Sequence, residues 1–508
     1  MATLSLAAIL ADNARRYPDK TALVAGELRS TFAELWLQVR KQAAALAELG
    51  VRPGDKIALM APNTAEFPRA YYAAIAAGAT VVPVHLLLSA HEVEHVLKDS
   101  DSTLLLCHPA QAKTGEAAAD AVGIRTVALG ADGELEKLTQ DAEPLATYAT
   151  RDADDAAVVF YTSGTTGVPK GAVLSHLNLV MNATVEAFDC NEHSPDDIVL
   201  GALPLFHAFG QTASMHAVWR AGKTLVLMPR FDAAKAVELM VREHVTVFQG
   251  VPTMYVHLLT AAAQALEQGA ELPRLRVAVS GGASLPVAVL ERFQELFGAP
   301  VHEGYGLSET SPVASVNQPW YGAKAGTIGH SIWGVDVEVA RAELDDRIEL
   351  LPTGELGEIV VRGHCVFSGY LGRPEETEKA LVDGWFRTGD LGTKDEEGYL
   401  RIVDRKKDVI IRGGYNVYPR EVEEVLMRHP AIDHVAVIGL PDDVHGEEVC
   451  AVAVLKPDTT LDAAELTTWS KEHLGKHKYP RRVEFTDQLP LGPSMKVLKR
   501  ELRETYAG

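Results

Sequence analysis

Ala- and Leu-rich stretches at helical spacing alternate with short β-branched runs through the first part of the chain. Residues 43–49 are helical in character, 51–55 (Val-Arg-Pro-Gly-Asp) form a turn, and 56–60 read as a strand. A helix over 65–77 and a strand over 80–84 repeat the unit, and 245–248, 276–279 and 359–361 read as buried strands. This alternation predicts a layered α/β body with largely parallel sheets. From Ile348 the texture changes. Turn signals at 352–357, 369–372, 383–384 and 397–398 lie between strand runs and predict a small antiparallel β unit. The charged segment 404–408, Asp-Arg-Lys-Lys-Asp, has no apolar face. Beyond it come a helix over 419–427, strands over 435–438 and 449–455, and a helix over 463–474 with Asp462 as N-cap. The expected organisation is a large N-terminal domain of layered α/β subdomains with the small β unit (1–404), a hinge (405–408) and a mobile α+β C-terminal domain (409–508).

At 508 residues the chain needs at least two cores, and 47% apolar with 23% charged residues is a globular composition. The net charge of −21 disfavours nucleic acid and anionic membranes, so a phosphate-bearing ligand has to be captured by local groups. Cys107, Cys190, Cys365 and Cys450 are scattered without a CxxC pair, which fits small apolar fillers in a reducing cytoplasm. The apolar N-terminus lacks a basic start and is interrupted by Asp12, Arg15 and Arg16; it reads as an amphipathic helix, and no run is long enough for a transmembrane segment.

The strongest chemical signal is 161–171, Tyr-Thr-Ser-Gly-Thr-Thr-Gly-Val-Pro-Lys-Gly. Its glycines let backbone N–H groups close around a phosphate chain, its hydroxyls donate to phosphate oxygens, and Lys170 supplies a cation. The spacing does not fit the P-loop GxxxxGK[ST]. Further motifs follow in order: 203–210 (Leu-Pro-Leu-Phe-His-Ala-Phe-Gly), 304–310 (Gly-Tyr-Gly-Leu-Ser-Glu-Thr), 354–358 (Gly-Glu-Leu-Gly-Glu), 385–390 (Trp-Phe-Arg-Thr-Gly-Asp), 404–421, and 489–500. With these the chain resembles the adenylate-forming acyl-CoA synthetases over nearly its whole length, most of all the fatty-acid-activating branch.

The resemblance implies ATP, Mg²⁺ and coenzyme A as cofactors and a two-step reaction. A carboxylate attacks the α-phosphate of ATP, pyrophosphate leaves, and the acyl-adenylate is attacked by a thiol. Thr162, Ser163, Gly164, Thr165, Thr166, Gly167 and Lys170 would hold the phosphates, with Glu309 and a loop hydroxyl (Thr165 or Thr166) on the metal. Gly304, Tyr305, Gly306 and Ser308 would border the nucleotide, Tyr305 packing on adenine. Asp390 would accept from the ribose hydroxyls, with Arg405 close by. His207 would seat the carboxylate, and Lys496 would neutralise carboxylate and α-phosphate during adenylation. Lys407 would be the pivot of a C-terminal domain rotation, and Gly413 and Gly414 would border the pantetheine tunnel. The family usually has Gly before the lysine and Thr three places earlier still, whereas this chain has Met495 and Gly492; Ser308 stands where Thr is usual. Met cannot take every backbone angle open to Gly, so the geometry or speed of this loop is where a difference is expected.

The acyl pocket is expected from 206–216, 250–256, 279–283 and 304–312, with Phe209, Met215, Val251, Gly281, Gly282 and Ala283 among its lining. These segments contain no Lys or Arg. A dicarboxylic acid would want a cation for its second carboxylate, so an apolar acid is expected: a fatty acid, or alternatively an aryl or terpenoid acid. Two further alternatives stay open, delivery of the acyl group to a carrier protein and a silent nucleotide-binding homologue. Whether the chain is a monomer or a homodimer is not legible.

Overall fold

The computed structural model describes residues 2–163, 169–190, 194–457, 459–492 and 497–507. Contacts divide the chain into two compact units, residues 1–337 with 361–386, and residues 338–360 with 387–508.

The first unit carries two sheets. The nine-stranded sheet runs in the order His330–Ser331, Val313–Val316, Val301–Gly306, Val277–Ser280, Val247–Gly250, Ile198–Gly201, Thr224–Leu227, Thr21–Ala25, Leu28–Thr31. Its six middle strands, from Val301–Gly306 to Thr21–Ala25, are parallel and its flanking strands antiparallel. The seven-stranded sheet runs Gly369–Tyr370, Pro169–Ser175, Ala156–Ser163, Thr80–Pro83, Lys56–Met60, Ser102–Cys107, Arg125–Ala128. Its strands run parallel except Pro169–Ser175, which is antiparallel to both of its neighbours. Most parallel strands are short, buried and β-branched because helices cover both faces. The expected α/β layering is therefore present, and antiparallel edges are added to it.

Strand ends read from apolar runs shift. The run 245–248 is observed as Val247–Gly250 and 276–279 as Val277–Ser280. Hydrogen bonding continues through polar Gln249, Gly250 and Ser280, which a hydrophobic criterion leaves out. Two π-helical turns, Glu186–Cys190 and Thr212–His216, have no signature in the apolar pattern.

In the second unit, Arg387–Lys394 returns antiparallel along Leu400–Arg405. The C-terminal sheet runs Tyr415–Val417, Ile410–Arg412, Gly446–Leu455, Ile432–Asp442, with Arg482–Phe485 parallel to Gly446–Leu455. Period-two alternation splits its side chains between two cores. Val437, Val449 and Ala451 pack with Val422, Leu426 and Leu466 on one face, and Ala436, Ile438 and Cys450 pack with Leu502 on the other. Helix Ala463–His473 begins with a capping box made by Asp462 and Glu465, as expected for that N-cap. All four cysteines are buried and free. No helix among the described residues is long and apolar enough to cross a membrane.

Candidate active site

Parallel α/β sheets present ligands with the loops at the carboxyl ends of their strands. Four predicted segments occupy that edge on neighbouring strands: His207 and Phe209 follow Ile198–Gly201, Val251 follows Val247–Gly250, Gly281 to Ala283 follow Val277–Ser280, and Gly304, Tyr305 and Gly306 end Val301–Gly306. Phe209 and Gly281 meet there. A Cβ on Gly281 would lie 3.0 Å from the Phe209 ring, so the absent side chain is what lets the aromatic cross the strand end. Phe209 and Val251 are half-buried against one hydrophobic cluster, Met215 is fully buried, and Ala283 is exposed.

His207 caps the short helix Ala208–Gln211, its Nδ1 accepting from the Phe209 N–H at 3.3 Å. A neutral imidazole that accepts at Nδ1 carries its proton on Nε2, a donor suited to a carboxylate.

Gly306 is a second obligatory glycine, since a Cβ would lie 1.6 Å from the Pro312 carbonyl oxygen. The strand can therefore turn directly into the 3₁₀ turn Ser308–Thr310, which carries Glu309. Glu309 is buried, and its Oε1 accepts from the Tyr370 hydroxyl at 2.9 Å and from Thr162 Oγ1 at 3.5 Å. Burial, and then the Glu309 charge, hold the Tyr370 phenol well above its ordinary pKa, so it remains the proton donor.

Thr162 belongs to the other sheet. It pairs with Lys170, and Ser163 with Pro169, on strands Ala156–Ser163 and Pro169–Ser175. Gly164, Thr165, Thr166 and Gly167 lie outside the described residues, as does Lys496. The Lys170 ammonium lies 3.8 Å from Glu376 and 5.4 Å from the Tyr370 ring centroid. At the base of the hairpin, Tyr161 donates to Asp99 at 2.8 Å and Arg373 donates to the same carboxylate at 2.7 Å. The hairpin that carries Thr162 and Lys170 and the turn that carries Glu309 thus converge from two sheets. Tyr370 and Glu376 carry no site signature in the sequence: Tyr370 sits in a Gly-Tyr-Leu-Gly run, which reads as a turn, and Glu376 in the charged stretch that follows it.

In the second unit, Asp390 pairs across the ladder with Arg405, Nε to Oδ1 at 3.5 Å. The preceding residues are fastened by Glu358, which accepts from Arg387 Nη2 at 2.5 Å and from the Gly389 N–H at 3.0 Å. Lys406 to Asp408, within the expected hinge, form a 3₁₀ turn. Its two outer residues are tied down, Asp408 to Arg503 at 2.8 Å and Lys406 to Asp345 at 3.3 Å, while Lys407 between them is exposed. Gly413 and Gly414 make the two-residue turn between Ile410–Arg412 and Tyr415–Val417, both with positive φ (56° and 83°), so the hairpin itself requires them. Beside them Arg412, Tyr415, His445, Lys476 and His477 line an open cavity of about 450 Å³. Leu491 and Val497 form an isolated antiparallel bridge.

The AMP-binding enzyme family model matches residues 10–371, and that of the AMP-binding enzyme C-terminal domain matches residues 421–496. The chain is 37% identical to the long-chain-fatty-acid–CoA ligase of Bacillus subtilis, over 98% of this chain and 94% of that protein. It is 38% identical to the feruloyl-CoA synthase of an Amycolatopsis species, over 97% of each. Among solved structures, ATP-bound MatB from Rhodopseudomonas palustris matches with a TM-score of 0.91 at 34% identity over 99% of both chains. A benzoate CoA ligase from Burkholderia xenovorans LB400 matches with a TM-score of 0.89 at 28% identity, over 98% of this chain and 99% of that one. The fold is that of an adenylate-forming acid–thiol ligase. The chain belongs to the AMP-binding enzyme family and is an ATP-dependent acyl-CoA ligase, forming an acyl-adenylate and then a CoA thioester.

Proposed function

We propose that this ligase activates a mainly apolar monocarboxylic acid, aliphatic or aryl, in the cytoplasm. The observation that carries the reading is the meeting of Phe209 with Gly281 at a strand edge whose loops bring no Lys or Arg. An acyl group there meets an aromatic face and small residues, and the His207 Nε2 proton can orient its carboxylate. The relatives' names, a long-chain fatty acid in one and a feruloyl group in another, span the same two classes.

Adenylation brings an anion against a polyanion, so donors and cations have to offset the developing charge. In this reading Thr162, Lys170 and the loop between them would hold the triphosphate, and the Lys496 charge would offset those of carboxylate and α-phosphate during adenylation. A buried carboxylate beside a hydroxyl is an all-oxygen donor set, which suits Mg²⁺. Glu309, with a loop hydroxyl, would hold the ion, which when bound supplies charge neutralisation at the phosphates. Tyr305 faces the adenine and Asp390 the ribose, with Arg405 beside it. After pyrophosphate leaves, the C-terminal domain rotates about Lys407 and brings the Gly413–Gly414 turn to the pantetheine.

A panel of acids graded in length and bulk, scored by CoA-dependent AMP release, tests this. Aliphatic or aryl monoacids should turn over and short dicarboxylic acids should not; preference for a dicarboxylic acid, or turnover only with a loaded carrier protein, would contradict it.

A further inference from the structure

The side chain that joins the Glu309 turn to the phosphate hairpin is Tyr370, and its position is built from every side. Gly369–Tyr370 is a two-residue strand added to the outer edge of Pro169–Ser175, with Gly369 opposite Val173 and Tyr370 opposite Ala172. The neighbouring amides extend the seam: Ser368 N–H donates to the Val173 carbonyl at 2.9 Å and Leu371 N–H to the Gly171 carbonyl at 2.8 Å. The Phe367 N–H donates to the main-chain carbonyl of Glu309 at 2.9 Å, which ties the same segment to the carboxylate's own backbone. Further back, Asn178 donates through Nδ2 to the His364 and Val366 carbonyls at 2.7 and 3.0 Å. The Tyr370 N–H donates to Thr377 Oγ1 at 2.9 Å, and the Phe367 ring meets the Tyr370 ring edge-on at 4.8 Å.

A tyrosine fixed so firmly offers two functional faces. Its hydroxyl donates to Glu309 Oε1 at 2.9 Å, and its ring lies 5.4 Å beneath the Lys170 ammonium. A neutral hydroxyl is suited to hold a carboxylate without cancelling its charge, whereas Lys or Arg in the same place would cancel it and compete with a cation. A π face attracts an ammonium without fixing it as tightly as a carboxylate would.

We propose that Tyr370 is a positioning residue for the adenylation step. Its hydroxyl holds the Glu309 carboxylate toward Thr162, and its ring, together with Glu376 3.8 Å from the ammonium, sets where Lys170 stands, so that one side chain touches both the anion and the cation at the triphosphate. The proposal rests on the reading of Glu309 as the metal carboxylate and Lys170 as a phosphate cation.

The test uses the full-length enzyme with Tyr370→Phe, which removes the hydroxyl and keeps the ring, and Tyr370→Leu, which removes both. Mn²⁺ binding in the presence of ATP, followed by the electron paramagnetic resonance of the free ion, reads the carboxylate without turnover. Tyr370→Phe should weaken Mn²⁺ by about tenfold, the size expected for loss of a hydrogen bond to a charged group. It should lower acid-dependent pyrophosphate exchange, with thioester formation from supplied acyl-adenylate and the thermal transition unchanged. Tyr370→Leu should in addition raise the KM for ATP several-fold. Wild-type Mn²⁺ binding in Tyr370→Phe overturns the proposal, as does equal loss in both half-reactions with a lowered or absent thermal transition, since that marks a purely structural tyrosine. If the unaltered enzyme binds no Mn²⁺ with ATP, or Glu309→Gln leaves that binding intact, the underlying assignment of Glu309 fails instead.

Discussion

Glu186 is buried in the first unit, and its Oε2 has no hydrogen-bond partner among the described residues. The nearby cations are directed elsewhere: Lys223 lies 3.2 Å and Arg276 2.6 Å from Asp197. Burial therefore dominates, and the Lys223 charge only partly opposes it, so the carboxyl is pushed up to about 8. Between its ordinary value near 4.5 and about 8 the folded chain holds a proton that the unfolded chain has released. Stability from this group is complete below the lower value and is lost as pH rises through the upper one, at about 1.4 kcal/mol per pH unit for one proton. Glu186→Gln should melt with the parent near pH 4.5 and progressively above it toward pH 8. Melting curves that stay parallel across that range would show that Glu186 is ionised in the fold. His216 illustrates the other direction, burial pushing its imidazole down to about 3. It accepts from the Tyr72 hydroxyl at Nδ1 (2.9 Å) and, because Tyr71 spends its proton on Gln211, donates from Nε2 to Tyr71 (3.2 Å). Sequence reading finds residues of this kind poorly, because their character comes from partners far away in the chain. Tyr370 is the clearest case, its carboxylate partner lying 61 residues away. Gly306 and Glu309, by contrast, were legible because a glycine and an acid sit inside one contiguous motif.

At the scale of elements, the strand that carries Asp390 depends on a buried ion pair. Arg387 and Glu358 have side chains only 8% and 4% exposed, and Glu358 also accepts from the Gly389 N–H at 3.0 Å. Truncating the acid removes the buried carboxylate from Arg387, which keeps the Leu344 and Ala342 carbonyls as acceptors, and takes the side-chain acceptor from the Gly389 N–H. Glu358→Ala should therefore lower stability by about 3–5 kcal/mol in urea unfolding, the range for breaking one half of a buried pair. A loss below about 1 kcal/mol would mean that solvent or Asp345, 3.5 Å from Arg387 Nη1, substitutes for it. Apolar period and turn residues revealed the parallel strands, the Asp462-capped helix and the C-terminal α+β unit, because those elements are built on local rules. They did not reveal the antiparallel edges. His330–Ser331 and Gly369–Tyr370 are two residues each, too short for any periodicity, and exist only because a longer strand lies beside them. The π-helical turn Thr212–His216 inserts its extra residue within the predicted pocket segment and is likewise set by packing.

Across the molecule, a net charge of −21 opposes the arrival of ATP, so catalysis has to be arranged from local donors and cations. The first unit supplies the hairpin, Glu309, Lys170 and the apolar strand edge, while Asp390, Arg405, the Gly413–Gly414 turn and Lys496 belong to the second. In the proposed mechanism one unit would keep the adenylate while the other exchanges its contacts. The most direct measurement compares the half-reactions of Lys496→Ala in the full-length enzyme: acid-dependent pyrophosphate exchange against thioester formation from supplied acyl-adenylate. The account predicts near-abolition of the first with the second largely intact. Equal loss of both, or exchange at the parent rate, would contradict it.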